Sequence, residues 1–433
     1  LYLQHIKLFY NFIINPNDFL MKIKRIYFLL TISFFCFLSC NNSDDLVENA
    51  HDLSNLNSGV SEKELMRVAT KFVADVKAGS EHNMKTRAYL YNTIYANEID
   101  SAVYFDSEGS STRVVKDKPC NIYAVAMNNN LGSVVLSKEG KRIIPLVYFE
   151  NNNVNLHRLL TDSISEDAFL LQSTLENYYG NIKEQGDIYD KNLTRSLATQ
   201  DEIIERVEPK CKVAWSQRAP YNKYVNMVAS KIPWNKKGDY PAGCVAVAGA
   251  QALTVLRPSL PNFPFLWDDI IKENPTEEVL DAISLLICRV GIAVDMDYDL
   301  NGSSANTAKL VSYFNNFGIK DYDAPHSIDV LKTPHGIIVV SGKSKKKKIL
   351  LFNTYTGGHA FIADGYIKYN RKSEPYYLHL NYGWGPDALN RNAYVLNDNK
   401  WYDESKREQD ASNLIYRYNI KFYCFTYVNE KNW

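Results

Sequence analysis

Cys244 stands where a breaker-rich loop, Tyr240-Pro-Ala-Gly243, runs into the small apolar stretch Val245-Ala-Val-Ala-Gly-Ala250. That change predicts a buried helix opening at the cysteine, over Cys244–Leu256. A thiol in the first turn of a helix faces unpaired backbone N–H groups and the positive end of the dipole. Both favour the thiolate, the nucleophilic form. Thiolate chemistry also needs a base that returns its proton, a group that orients the base, and donors for an oxyanion. Of the eight histidines, His359 and His379 have distinctive surroundings, whereas His326 and His335 lie in Pro-flanked loops. His359 follows Gly357-Gly358, which permit close backbone approach, and begins an apolar strand. His379 lies mid-strand in Tyr376-Tyr-Leu-His-Leu-Asn381. His359 is the preferred base, and His379 reads as its structural neighbour. Asn381 precedes the aromatic turn Tyr382-Gly-Trp-Gly385. Its side-chain carbonyl could orient an imidazole without competing for the proton. The oxyanion donors would be the Cys244 N–H and the Gln217 side-chain amide. Each piece alone is weak; the combination and its chain order carry the weight.

These groups need a scaffold. Leu65, Val68, Ala69, Phe72 and Val76 recur at helical spacing, so residues 61–79 read as a helix with Gly79 as its C-terminal cap. Strand-like runs follow at 121–127, 132–137 and 143–149, with a hairpin break at 128–131. A second helix is expected over Glu166–Tyr179. Polar sequence follows, with Lys191, Arg195 and Arg206 expected as exposed basic sites in an inter-domain linker. Beyond it, further helices are expected at Glu277–Val290 and Asn306–Phe317. Strands are expected at 336–341, 348–353, 360–367, 376–381 and 421–427. Gly342–Lys348 carries five lysines in seven positions and reads as a solvated hairpin tip.

Composition limits the classes. Lys+Arg and Asp+Glu both number 49, so no basic excess is present for phosphates, and nucleic acid is not expected as a partner. Seven cysteines occur without a C-x-x-C pair; neither a disulfide framework nor a metal cluster is indicated, and no cofactor is expected. The first methionine is Met21. Met21-Lys-Ile-Lys-Arg is followed by an apolar run and then Leu38-Ser-Cys40. This is the form of an export signal ending at a lipidated cysteine. Residues 1–20 are accordingly expected to be a mis-assigned upstream segment, 21–39 a lipoprotein signal peptide and 40–60 a tether, with Cys40 lipidated. A bacterial cell-envelope location, at the outer membrane or cell surface, would follow.

Four segments together resemble the streptopain (C10) family of papain-like cysteine peptidases. They are Trp215-Ser-Gln217 with Pro220-Tyr-Asn222, Ala242-Gly-Cys-Val-Ala-Val-Ala248, Gly357-Gly-His-Ala-Phe361 with Asp364-Gly-Tyr366, and Leu380-Asn-Tyr-Gly-Trp-Gly385. The resemblance implies an α+β fold: a papain-like domain over 211–433, preceded by a smaller α+β inhibitory propeptide over 61–190 and an activation linker over 191–210. It implies Cys244 as nucleophile, His359 as base and acid, Gln217 in the oxyanion hole and Asn381 as orienter. Protein or peptide substrates, and the propeptide as intramolecular inhibitor, would be the partners. Tyr382 stands where the family commonly has Trp, and Pro386 where it often has Gly. The alternative readings are a non-catalytic binding lipoprotein on the same scaffold, and an acyltransferase or cell-wall amidase using the same Cys-His chemistry.

Overall fold

The structure is a computed structural model and describes residues 62–78, 102–105, 122–127, 132–139, 142–150, 202–232, 235–263, 265–322, 327–349, 352–370, 376–385, 392–397 and 418–427. Contacts divide the chain into one unit of 1–55 with 261–264 and a second of 56–260 with 265–433. Everything described below lies in the second. The expected signal peptide, Cys40, Glu166–Tyr179, the 128–131 break, Lys191, Arg195, His326 and Pro386 lie outside the described residues.

Helix α1 (Glu62–Lys77) forms as its periodicity predicts. Leu65, Val68, Ala69, Phe72, Val73 and Val76 are buried, while Lys71 on the flank pairs with Asp75 one turn on. The buried stripe lies on a meander of β1 (Ala102–Phe105), β2 (Ile122–Met127), β3 (Gly132–Glu139) and β4 (Arg142–Phe149). After β5 (Ile203–Val207) come the helices α2 (Lys223–Ala229), α3 (Cys244–Leu256), α4 (Trp267–Ile270), α5 (Glu277–Ala293) and α6 (Lys309–Asn315). Short β6 (Lys320–Asp321) and a 3-10 turn (Ser327–Lys332) lead into β7 (Ile337–Ile349), β8 (Phe352–Tyr369), β9 (Tyr376–Asn381), β10 (Asn392–Asn397) and β11 (Tyr418–Thr426). The class is α+β, with helices packed on an antiparallel sheet.

One sheet of eleven strands runs β1-β2-β3-β4-β10-β9-β8-β7-β11-β6, with β5 on the end of β8. The N-terminal meander therefore joins the C-terminal strands edge to edge through β4 and β10, with Phe149 opposite Ala393 and Val147 opposite Val395. Helix α1 strengthens this junction. Phe72 lies 4.4 Å from Tyr377 of β9 and 6.3 Å from Tyr148 of β4, centroid to centroid. Full burial of that phenyl ring contributes roughly 2 kcal/mol.

The polar stretch before 211 is not a free linker throughout. Residues 203–207 pair with Tyr366–Tyr369 of β8. Arg206, expected to be exposed, donates to the Val76 carbonyl at 3.0 Å and to that of Asp75, closing the last turn of α1. Its surroundings offer carbonyls that a charged side chain can satisfy, which composition alone does not show. The lysine-rich stretch is likewise not a hairpin tip: Lys343–Ile349 pair with Gly358–Phe352. No glycine or proline interrupts the lysine run itself, so β7 continues through it, and the expected strand 348–353 straddles the turn instead.

Candidate active site

Helix α3 is buried along its length from Val245 to Leu256, as expected of a helix apolar on every side. Glycine lets its neighbours close in. A methyl group on Gly249 would lie 2.7 Å from Leu310 and 2.8 Å from Val290. Before the helix, Gly243 takes φ +89, and a methyl group there would lie 2.5 Å from the Met296 sulfur. Side chains from neighbouring elements hold this loop. Asn222 donates to the Tyr240 carbonyl at 2.8 Å, Asn226 accepts from the Tyr240 N–H at 2.7 Å, and Ser303 donates to the Pro241 carbonyl at 2.6 Å. The Gln217 carbonyl accepts from the Ala242 N–H at 2.8 Å. This bond ties the Gln217 backbone to the loop two residues before Cys244.

Strand β9 pairs with β8 only from Ile362 onward. The preceding residues of β8, His359–Phe361, pair with β7 and meet the start of α3 on their other side. The Ala360 N–H faces the Cys244 thiol, as do the N–H groups of Val245 and Cys244 itself. Burial pushes this thiol up, while those donors and the charge of Lys343 oppose the rise. His359 is only 7% exposed, and burial pushes it down to about 4 against the opposing hydrogen bond to Tyr382. Both groups are thus biased towards their neutral forms. Desolvation thus opposes the thiolate that the helix N-terminus favours.

The imidazole Nε2 donates to the Tyr382 carbonyl at 2.8 Å. This bond places the proton on Nε2 and the lone pair on Nδ1. Trp384 lies 5.5 Å from the His359 ring and stacks on Tyr382 at 5.2 Å, so aromatic rings do shield the imidazole. The Asn381 side chain, expected to orient this ring, bonds other groups. Asn381 Oδ1 accepts from Gln251 Nε2 at 3.1 Å and from the Gly383 N–H at 3.0 Å, and Nδ2 donates to the Val213 carbonyl at 2.9 Å. Its neighbour's backbone carbonyl holds the histidine, and Asn381 pins the turn that carries that carbonyl to α3. Gln251, seven residues beyond Cys244, lies two turns along the same helix. That spacing was legible in the sequence, but the pairing with Asn381 was not.

His379 stands opposite Gly365, six residues along β8 from His359. Its Nδ1 bonds Asp364, and its Nε2 lies 3.4 Å from Glu150 at the end of β4. Burial alone would lower its pKa, but the two carboxylates override this and hold it up at about 10. Asp364 also accepts from the Cys211 N–H at 2.7 Å. A buried charge network thus ties the N-terminal meander to the C-terminal strands.

Residues 215–390 match the model of the peptidase C10 family. Curated relatives include streptopains of Streptococcus pyogenes, 24% identical over 279 residues in one case and 25% over 271 in another. Each alignment covers 52% of this chain and 65% of the relative, so the chain spans just under two thirds of the relatives' length. Among solved structures, a fragment of Prevotella intermedia prointerpain A is 18% identical, with a TM-score of 0.42, covering 69% of this chain and 98% of that one. Active interpain A cysteine protease from the same organism is 22% identical, with a TM-score of 0.34, covering 52% and 96%. Among the described residues, no cluster of three or more His, Cys, Asp or Glu could hold a metal ion, and no helix is long and apolar enough to cross a membrane.

Proposed function

We propose that the chain is a cysteine endopeptidase of the streptopain type. The observation that carries this reading is the meeting of Cys244, in the first turn of α3, with the His359–Ala360 backbone at an edge of β8 that β9 leaves unpaired. Substrate entering there would lie between sulfur and imidazole. His359 Nδ1 takes the thiol proton as sulfur attacks the scissile carbonyl. The Cys244 N–H and the Gln217 amide receive the developing oxyanion. The imidazolium then protonates the departing amine, and water releases the acyl group from sulfur. The Tyr382 carbonyl stabilises the transient positive charge through Nε2–H. A Cys244→Ala chain that retained peptide-bond hydrolysis, or a native chain inert to a thiol-directed epoxide, would refute this.

The N-terminal segment 61–190 is proposed as an inhibitory propeptide. The reading is supported by its edge-to-edge docking through β4 and β10 and by the Glu150–His379 contact. The pairing of β5 with β8 supports a cut within 191–201, a narrower span than the 191–210 expected from sequence. Export and lipid anchoring at Cys40 complete the proposal. Mass analysis of the cell-derived chain would detect the acyl groups, and N-terminal sequencing of the mature form would locate the cut.

A further inference from the structure

We propose that Lys343 makes this site selective for peptides carrying an Asp or Glu side chain beside the cleaved bond. This rests on the peptidase reading above and deepens it. Lys343 of β7 is the cross-strand partner of Gly358, the residue before His359. A methyl group on Gly358 would lie 2.4 Å from Lys343 Nζ, 3.2 Å from Cδ and 3.3 Å from Cε. The lysine side chain therefore lies flat across the backbone leading to the imidazole, which only a glycine at 358 permits. Both Gly357 and Gly358 are exposed, and Lys343 is half-buried. Substrate approaching the space between Cys244 and His359 passes over this surface. The register sets Gly342 opposite His359, so Lys343 follows the residue that faces the imidazole's backbone. Among the described residues, Lys343 has no carboxylate partner. A half-buried ammonium without a counter-charge gains from a substrate carboxylate by a charge-assisted hydrogen bond. The chain's formal net charge is zero, so this positive field is local and not a property of the whole surface.

The test uses the full chain, activated by limited proteolysis, and peptides with one cleavable bond. Asp, Asn or Lys is placed in turn at each position flanking that bond, and kcat/KM is measured. Asp is expected to exceed its isostere Asn by about tenfold at one flanking position. Lys343→Glu should reverse the order of Asp and Lys at that position, and Lys343→Arg should keep the wild-type order. If Lys343→Glu fails to fold, Lys343→Met should bring the Asp-to-Asn ratio to near one. Cleavage of all peptides with the same ratios in wild type and charge-altered variants would overturn the role of Lys343 and leave the peptidase reading standing. Cleavage of none of them would overturn both.

Discussion

Replacing His359 with Gln should make the protein less sensitive to acid, and the magnitude follows from burial. In the folded chain the imidazole is lowered from 6.5 to about 4. Between those values the unfolded chain binds a proton that the folded chain refuses. Stability therefore rises with pH across this window and is lost as pH falls through it. A displacement of about 2.5, at ~1.4 kcal/mol for each pH unit, corresponds to about 3.5 kcal/mol in full, of which about 3 kcal/mol is reached at pH 4. Burial leaves little solvent screening to reduce this figure. A glutamine amide can still donate to the Tyr382 carbonyl but has no proton to gain. Urea unfolding of both proteins at intervals from pH 8 to pH 4 gives the two stability profiles. The wild-type curve should fall below its neutral value by about 3 kcal/mol more than the variant curve does. Parallel curves over that range would refute the assignment of a buried, neutral His359.

Three further outcomes are expected. His379→Gln should act with the opposite sign. The native pKa, held at about 10 from an ordinary 6.5, gives stability that is complete below pH 6.5 and lost as pH rises through about 10; thermal melts from pH 6 to pH 10 should therefore show the wild type losing its advantage on alkalinisation. Gly243→Ala must adopt φ near +89 with its methyl group against Met296, so chemical denaturation should report a loss of about 3 kcal/mol or more. Gln217→Ala should lower kcat by about 10² to 10³ with little change in KM, because an oxyanion donor acts on the transition state; a KM effect alone would remove Gln217 from that role.

Much of the scaffold was legible because its signals are local. The α1 stripe, the apolar run of α3 and the alternation in β2, β3 and β9 each follow from a few consecutive side chains meeting one hydrophobic surface. β10 and β5 were missed because their strand character depends on partners far away in sequence. Gly342–Lys348 misled because charge reports solvent contact, not the absence of a strand. At the candidate site, Cys244, His359 and Gln217 stand out in the sequence by type and setting. The substitution of a backbone carbonyl for the Asn381 side chain could not, since every residue supplies the same carbonyl.

By itself, the sequence determined which chemistry is available: one cysteine at a helix start, one glycine-flanked histidine, and a glutamine preceding both. Those follow from residue types and nearest neighbours. Tertiary structure alone decided their electrical state and their alignment. Desolvation depends on everything packed around a group, so it biases Cys244 and His359 towards neutrality despite the helix dipole. Alignment depends on where β9 stops pairing with β8, because that end point leaves the Ala360 N–H to the sulfur and delivers the Tyr382 carbonyl to the imidazole.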